Sequence, residues 1–229
     1  MLITGISRGL GKELFDFFAK KKYFVYGVLR KKSDVEMFEK KYPKNSKIIL
    51  ADLSSDQSIK RIQDAVQQNH IDWLINNAGI AGTSYLIQNV NSVEIIELFN
   101  IHCLGVFRTT KALANNLIKA KKPMILNINS RFGSITRQSQ KNYENLNISY
   151  SYRIAKAAQN MLTNCIRLEF KDRIEVISIH PGKMKTEIAS KDADLEPIEV
   201  AKKIVNFYEK GLLKETNGII EIEKEIIEW

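Results

Sequence analysis

Cysteine and histidine are scarce. The two cysteines, Cys103 and Cys165, lie far apart with no C-x-x-C spacing, which excludes a disulfide framework and a thiolate metal site. Both fall in helical apolar patterns and are expected to be buried thiols in a reducing compartment. His70, His102 and His180 are scattered without metal-ligand spacing, so no metal is expected. No apolar run approaches the roughly 20 residues that span a bilayer. The N-terminus has no basic stretch ahead of its first apolar residues, so no signal peptide is read there. Repeats, low-complexity tracts and linkers are missing as well. These absences predict one domain over residues 1–229, cytoplasmic, with no membrane partner.

Acidic residues are outnumbered, leaving a formal net charge of +9. Such a balance invites a nucleic-acid reading, but no recognition motif accompanies it. The lysines come in short runs at 20–22, 31–32, 40–41 and 121–122, at the ends of predicted helices, where they complement helix C-termini. No nucleic-acid partner is expected. Attraction of a phosphorylated cofactor is the better use of the charge.

Short apolar runs alternate with helical patterns along the whole chain. Strands are predicted at 1–4, 23–29, 47–50, 71–75, 124–128, 174–179 and 218–222. Helices are predicted at 9–20, 33–40, 56–68, 92–120, 149–170 and 197–208. Continuous apolar strands are those of a sheet covered on both faces. The alternation predicts an α/β fold with a doubly wound parallel sheet of about seven strands and helices on both faces. Ligands then bind beyond the strand C-termini. The polar stretch 131–147 is expected to be the longest loop, at the end of the fifth strand.

Against this frame the first eleven residues, MLITGISRGLG, read as a strand, a glycine turn and a helix start. Glycine lets the backbone approach a pyrophosphate closely, and the helix N-terminus offers unpaired N–H groups with partial positive charge. After the second strand no acid comes until Asp34. The residues there are Arg30 and Lys31, which with Arg8 favour a ribose 2′-phosphate over a free 2′-hydroxyl. Asp52 ends the third strand, where its carboxylate accepts from an adenine amino group or caps the next helix. The run Asn76–Gly79 closes the fourth strand with small and amide side chains suited to close cofactor approach.

Tyr152 and Lys156 are one helical turn apart on one face. A free tyrosine has a pKa of about 10, and a neighbouring cation that lowered it by roughly 2–3 units would supply about 3–4 kcal/mol toward phenolate. With Ser130 at the end of the fifth strand the pair forms a candidate triad. Ser130 would hold a carbonyl oxygen, Tyr152 would donate its proton, and Lys156 would tune Tyr152 and grip a ribose. Pro181 and Gly182 follow the sixth strand, in a loop that brings Thr186 over the cofactor.

Taken in order, TGISRGLG at 4–11, NNAG at 76–79, Ser130, Tyr152-x-x-x-Lys156 and PGKMKT at 181–186 resemble the short-chain dehydrogenase/reductase family. The segment SRFGSI at 130–135, the long spacing from Ser130 to Tyr152, YRIAKAAQNM at 152–161 and the tryptophan-terminated C-terminal segment are similar to C-factor and Sniffer-type carbonyl reductases. The resemblance implies a Rossmann fold with strand order 3-2-1-4-5-6-7. It also implies hydride transfer between a nicotinamide cofactor and a carbonyl or alcohol. NADP(H) is the expected cofactor, with NAD(H) left open as the second choice. Contacts to it are implied for Gly5, Ser7, Arg8, Gly9, Leu10, Gly11, Arg30, Asp52, Leu53, Asn77, Ala78, Gly79, Tyr152, Lys156, Pro181, Gly182, Met184 and Thr186. Such enzymes form dimers or tetramers, here through helices 92–120 and 149–170.

One position departs from the family. Its usual asparagine, three residues before a glycine, bends a helix and holds a water in the proton relay. In FNIHCLGVF that place holds His102, while Asn100 lies two residues earlier. Histidine also binds water, so His102 joins Ser130, Tyr152 and Lys156 as a candidate catalytic residue. The short segment between Thr186 and Pro197 predicts an open, shallow substrate site. The reading is an NADPH-dependent reductase of a small ketone or aldehyde. An NADP(H)-binding sensor with little turnover and a reductase of sugar or polyol precursors in surface polysaccharide assembly stand as alternatives.

Overall fold

The structure, a computed structural model, describes residues 1–144, 146–186, 193–214, 216–222 and 226–229. Its strands are β1 (Leu2–Thr4), β2 (Val25–Leu29), β3 (Ser46–Leu50), β4 (Trp73–Asn76), β5 (Met124–Ile128), β6 (Glu175–His180), β7 (Gly218–Glu221) and β8 (Ile226–Glu228). The sheet runs β3-β2-β1-β4-β5-β6-β7-β8. All neighbours are parallel except β7 and β8. The expected order is therefore present, with one further antiparallel strand at the edge. Three residues are too few for β8 to show a periodic pattern.

The helices are α1 (Gly9–Lys20), α2 (Lys32–Lys41), α3 (Gln57–Val66), α4 (Ser92–Phe99), α5 (Gly105–Ile118), α6 (Ile135–Ser139), α7 (Tyr150–Phe170) and α8 (Pro197–Glu209). They cover both faces of the sheet. One apolar layer packs α1 and α8 around Phe15, Phe18, Trp73 and Ile204, and the other packs α3, α5 and α7 around Ile62, Leu74, Leu113 and Ile166. Two predicted elements need correction. The helix expected over 92–120 is interrupted by a π-helical segment, Asn100–Leu104. The loop expected over 131–147 contains a 3₁₀ turn, Arg131–Gly133, and the short α6.

Cys103 is buried in the π segment, but Cys165 is exposed, contrary to expectation. The inward stripe of α7 runs through Ala155, Gln159, Thr163, Ile166 and Phe170, and Cys165 falls outside it. Burial pushes the Cys103 thiol up to about 11. No described helix is long and apolar enough to cross a membrane.

A chain of buried amides and hydroxyls ties α5, β4, β5 and α7 together. Thr109 Oγ1 donates to Asn76 Oδ1 at 2.6 Å, Asn76 Nδ2 to Asn127 Oδ1 at 2.9 Å, and Asn127 Nδ2 to Thr163 Oγ1 at 3.0 Å. Deeper toward the strand ends, Asn129 Nδ2 donates to Asn160 Oδ1, and Asn160 Nδ2 reaches the Gly133 carbonyl at 3.0 Å. These bonds set where β4, β5 and α7 deliver the residues that follow them.

Candidate active site

A cleft of about 1910 Å³ opens beyond the C-terminal ends of β1, β2, β4, β5 and β6. Single-ligand pockets are usually about 300–1,000 Å³, so the cleft has room for two molecules side by side. Every residue expected at the site lines it except Gly11. Gly11 is buried behind the turn, where a Cβ would collide with Asn77 and the Gly5 carbonyl. Its role is packing of α1 against the sheet.

One end of the cleft is the glycine turn. Gly9 has a φ of +56°, and a Cβ there would meet only Thr186 Cγ2, at 3.4 Å. The loop after β6 thus brings Thr186 over the start of α1. Among the described residues no side chain caps α1 and its first turn holds no acid, so its leading N–H groups and positive end face the cleft. Thr4, which the sequence reading passed over, locks this end. Its Oγ1 accepts from the backbone N–H groups of Asn77 at 2.9 Å and Ala78 at 3.0 Å. Asn77 Nδ2 in return donates to the Thr4 carbonyl at 3.0 Å.

Arg8, Arg30 and Lys31 line the cleft where β2 ends. Asp52 Oδ1 accepts from the Ser54 amide at 3.0 Å and hydroxyl at 2.8 Å. Burial pushes this carboxyl up, but the Ser54 bonds and the charges of Arg30 and Arg108 outweigh it and leave Asp52 below its ordinary range. Loop geometry thus occupies one Asp52 oxygen, in a local turn rather than a helix cap. The donor set, the uncapped helix and the cations fit a phosphorylated dinucleotide.

Ser130, Tyr152, Lys156 and His102 converge at the other end. Ser130 leaves β5 as the cap of the 3₁₀ turn, its Oγ accepting from Phe132 N at 3.2 Å. Tyr152 and Lys156 lie in the first two turns of α7, whose N-cap Ser149 accepts from Tyr152 N. Lys156 Nζ donates to the Ile128 carbonyl at 3.0 Å and to Gln159 Oε1 at 2.9 Å, and stands 5.7 Å from the centroid of the Tyr152 ring.

Burial governs the protonation of this group. It drives Lys156 down to about 7. It pushes Tyr152 up to about 12, against a smaller opposing effect of a hydrogen bond with Ser130. The expected lowering of Tyr152 is therefore not produced by the protein alone, because desolvation of the phenolate exceeds what its neighbours supply. Burial, and after it the charge of Lys156, brings His102 down to about 3.

His102 rather than Asn100 faces the site. Asn100 Nδ2 donates to the Ser54 carbonyl at 2.9 Å and its Oδ1 accepts from Arg108 Nη1 at 2.7 Å. His102 Nε2 lies 2.9 Å from the Ile80 carbonyl and 3.3 Å from the Ile80 amide nitrogen. The shorter contact makes Nε2–H the donor, leaving Nδ1 as a bare acceptor, buried with no partner among the described residues. Gly79 makes room for this ring, since a Cβ there would come 2.6 Å from His102 Cε1.

Glu94 was also missed. Its carboxylate accepts from Thr83 N at 2.9 Å and Oγ1 at 3.1 Å, from Ser84 N at 3.4 Å and Oγ at 2.6 Å, and from Ser149 Oγ at 3.4 Å. It joins the 80–85 wall of the cleft to the cap of α7. Its sequence signal was the N-x-x-E spacing from Asn91, whose side chain accepts from Glu94 N at 2.8 Å. Of the segment expected to leave the substrate site open, residues 187–192 lie outside the described part.

Residues 1–196 match the family model of the short chain dehydrogenases. The chain belongs to that family. Its order of motifs and strand topology are those the resemblance implied, and membership makes it an NAD(P)-dependent oxidoreductase. Among curated relatives, the NADPH-dependent 3-dehydrocapnine reductase of Ornithobacterium rhinotracheale is 29% identical over 199 residues, covering 83% of this chain and 67% of that protein. The NADPH-bound carbonyl reductase from chicken fatty liver superposes with a TM-score of 0.86 at 24% identity, over 100% of this chain and 98% of its own. The carbonyl reductase Sniffer of D. melanogaster gives 0.83 at 26% identity, over 100% and 98% respectively. The short-chain dehydrogenase fold thus extends over the full length compared.

Proposed function

We propose that this short-chain dehydrogenase reduces the carbonyl of a small ketone or aldehyde with NADPH. The observation that carries the reading is the convergence of Ser130, Tyr152 and Lys156 at the floor of the cleft. Residues 5–10 and Thr186 would hold the pyrophosphate, and Arg8, Arg30 and Lys31 the 2′-phosphate. The names of the similar proteins, two of which cite NADPH, point the same way.

When bound, the dinucleotide supplies the hydride. The Ser130 hydroxyl donates to the carbonyl oxygen and fixes its position. Tyr152, a phenol at neutral pH because burial holds it at about 12, is in the form that can give its proton to the oxygen as negative charge develops there. Lys156, balanced near 7, replaces the proton on Tyr152 Oη and draws a new one from solvent. His102 offers the bare Nδ1 as an acceptor for a water in that path. The alcohol product carries one new C–H bond and one new O–H bond.

The test is NADPH oxidation at 340 nm by the wild type and Tyr152→Phe over small ketones, aldehydes, quinones and sugars. Turnover by the wild type alone supports the reading. Equal turnover by both removes Tyr152 from its role. NADPH binding without turnover on any class would favour a sensor.

A further inference from the structure

We propose that the substrate half of the cleft binds an oxyanion on the substrate (a carboxylate, phosphate or sulfonate) through the guanidinium of Arg131. The proposal rests on the reductase reading and adds the class of substrate to it.

Arg131 directly follows Ser130 and lines the cleft. Arg131 and Ser130 line the same cleft, so a group held by Arg131 and a carbonyl held by Ser130 belong to one bound substrate. No described residue pairs with it. The described acids that line the cleft lie elsewhere: Glu13, Asp34 and Asp52 at the dinucleotide end, and Glu196, which accepts from Lys185 at 2.8 Å.

The contrast with Arg108 is direct. Arg108 is buried and engaged, with Nε on Asp56 at 2.6 Å and Nη1 on the Leu53 carbonyl at 2.8 Å and Asn100 Oδ1 at 2.7 Å. It does a structural job, bracing α5 against the loop before α3. Arg131 Nε is also buried, yet it has no hydrogen-bond partner among the described residues. A buried donor left unpaired is costly, and here it belongs to a permanent cation beside the reacting position.

Arg131 is also held in place. Its Cζ lies 5.2 Å from the centroid of Phe132 and 5.8 Å from that of Tyr143, and those two rings meet edge to face at 5.1 Å. Aromatic contacts engage the face of a guanidinium and leave its in-plane N–H groups for a bidentate oxyanion. A lysine, a point charge without a planar fork, would reproduce the charge but not this geometry. The structure therefore assigns to Arg131 the choice between charged and neutral carbonyl substrates.

The test compares a short oxo acid with its methyl ester, 4-oxopentanoate and methyl 4-oxopentanoate, at pH 7 where the acid is ionised. The ratio of the two kcat/KM values is measured for wild type, Arg131→Gln and Arg131→Lys, with phosphate- and sulfonate-bearing ketones in a second series to tell the oxyanions apart. The wild type should favour the acid by about tenfold or more, Arg131→Gln should bring the ratio close to one, and Arg131→Lys should retain part of it. A wild-type ratio near one on every oxyanion, or a ratio that survives in Arg131→Gln, overturns the proposal. Should the wild type turn over neither compound, equilibrium binding of each oxyanion to the NADPH complex, by calorimetry, decides separately. Binding lost in Arg131→Gln keeps the anion site and leaves the reductase reading to the wider substrate panel, whereas a wild type that binds none, or binding that survives in Arg131→Gln, overturns the site.

Discussion

The imidazole of His102 meets the phenol of Tyr152 edge to face, with ring centroids 5.4 Å apart and planes 87° apart. Behind the imidazole, Nε2 is anchored on the Ile80 backbone at 2.9 Å. The residue that replaces the family's asparagine thus touches the proposed acid directly and is itself fastened to the wall of the cleft. An asparagine amide can donate to the Ile80 carbonyl and accept from its N–H at the same time, whereas Nε2 can do only one. His102→Asn should therefore keep kcat within about threefold or raise it, while His102→Ala, which loses both anchor and acceptor, should lower it by roughly ten- to a hundredfold. Burial holds His102 at about 3, so wild-type kcat should show no histidine limb between pH 5 and 8. A collapse in His102→Asn would give the imidazole a role that an amide cannot fill.

Tyr152→Phe removes the proposed proton donor to the substrate oxygen and leaves only the positioning hydrogen bond of Ser130. Its kcat should fall by about 10²–10⁴-fold, the range of positioned acid–base groups. NADPH affinity, read by fluorescence, should change by less than about threefold, since one hydroxyl contact is lost.

Lys156 gives a stability signature independent of turnover. Its pKa is 10.5 in the unfolded chain and about 7 in the folded protein, so between those values the unfolded state binds more protons. Stability of the protein alone should rise with pH across that window. Between pH 7 and 8, below the ordinary value of the Cys103 thiol, urea midpoints should climb for the wild type and climb less steeply for Lys156→Met, whose remaining slope comes from the buried Met1 amine, lowered from 8.0 to about 6. Parallel slopes would mean that Lys156 is not desolvated.

Glu94→Gln weakens the contacts that tie the 80–85 wall to the cap of α7. An amide cannot accept five hydrogen bonds through two equivalent oxygens, and because Glu94 is partly exposed to solvent a loss of about 0.5–1 kcal/mol is expected. The Glu94 carboxyl is held at about 2, chiefly by the Ser84 hydroxyl, against 4.5 when unfolded. Its contribution is therefore present above pH 4.5 and lost as pH falls toward 2. Thermal melts from pH 7 to 3 should show a smaller acid-side decline for Glu94→Gln.

Arg30→Asp inverts the charge proposed to meet the 2′-phosphate. Affinity for NADPH should fall by about tenfold or more while affinity for NADH changes little or improves. Equal losses would place Arg30 outside that contact.

How much of this could be read in the residues follows from the range of the interactions. α1 begins and ends where its glycine turn and apolar stripe place it, because those signals are local. Ser130, Tyr152 and Lys156 were legible because a strand end and a one-turn spacing define them. Glu94 was not, since its partners at Thr83, Ser84 and Ser149 become neighbours only after folding. The same holds for Arg131, an ordinary loop cation in the sequence that acquires meaning from an unpartnered Nε and two ring contacts. The π segment over Asn100–Leu104 left no periodic trace, because one wide turn barely disturbs the apolar spacing of the helices on either side. Cys165 was misplaced by treating an exposed position on α7 as part of its inward stripe.

The buried run Thr109–Asn76–Asn127–Thr163 works like a key cut for one lock. Apolar strands such as β4 and β5 would pair almost as well one residue out of step, since Ile, Leu and Met fill either face. The amides would not, because a single step turns each to the opposite side of the sheet and strands it without a partner. Swapping Asn76 and Asn127 together for leucines would leave a sheet that still forms yet no longer rejects the wrong alignment. In that misaligned sheet Ser130 would be delivered to the wrong side of the cleft, and a stable protein would emerge with nothing for Tyr152 to work with.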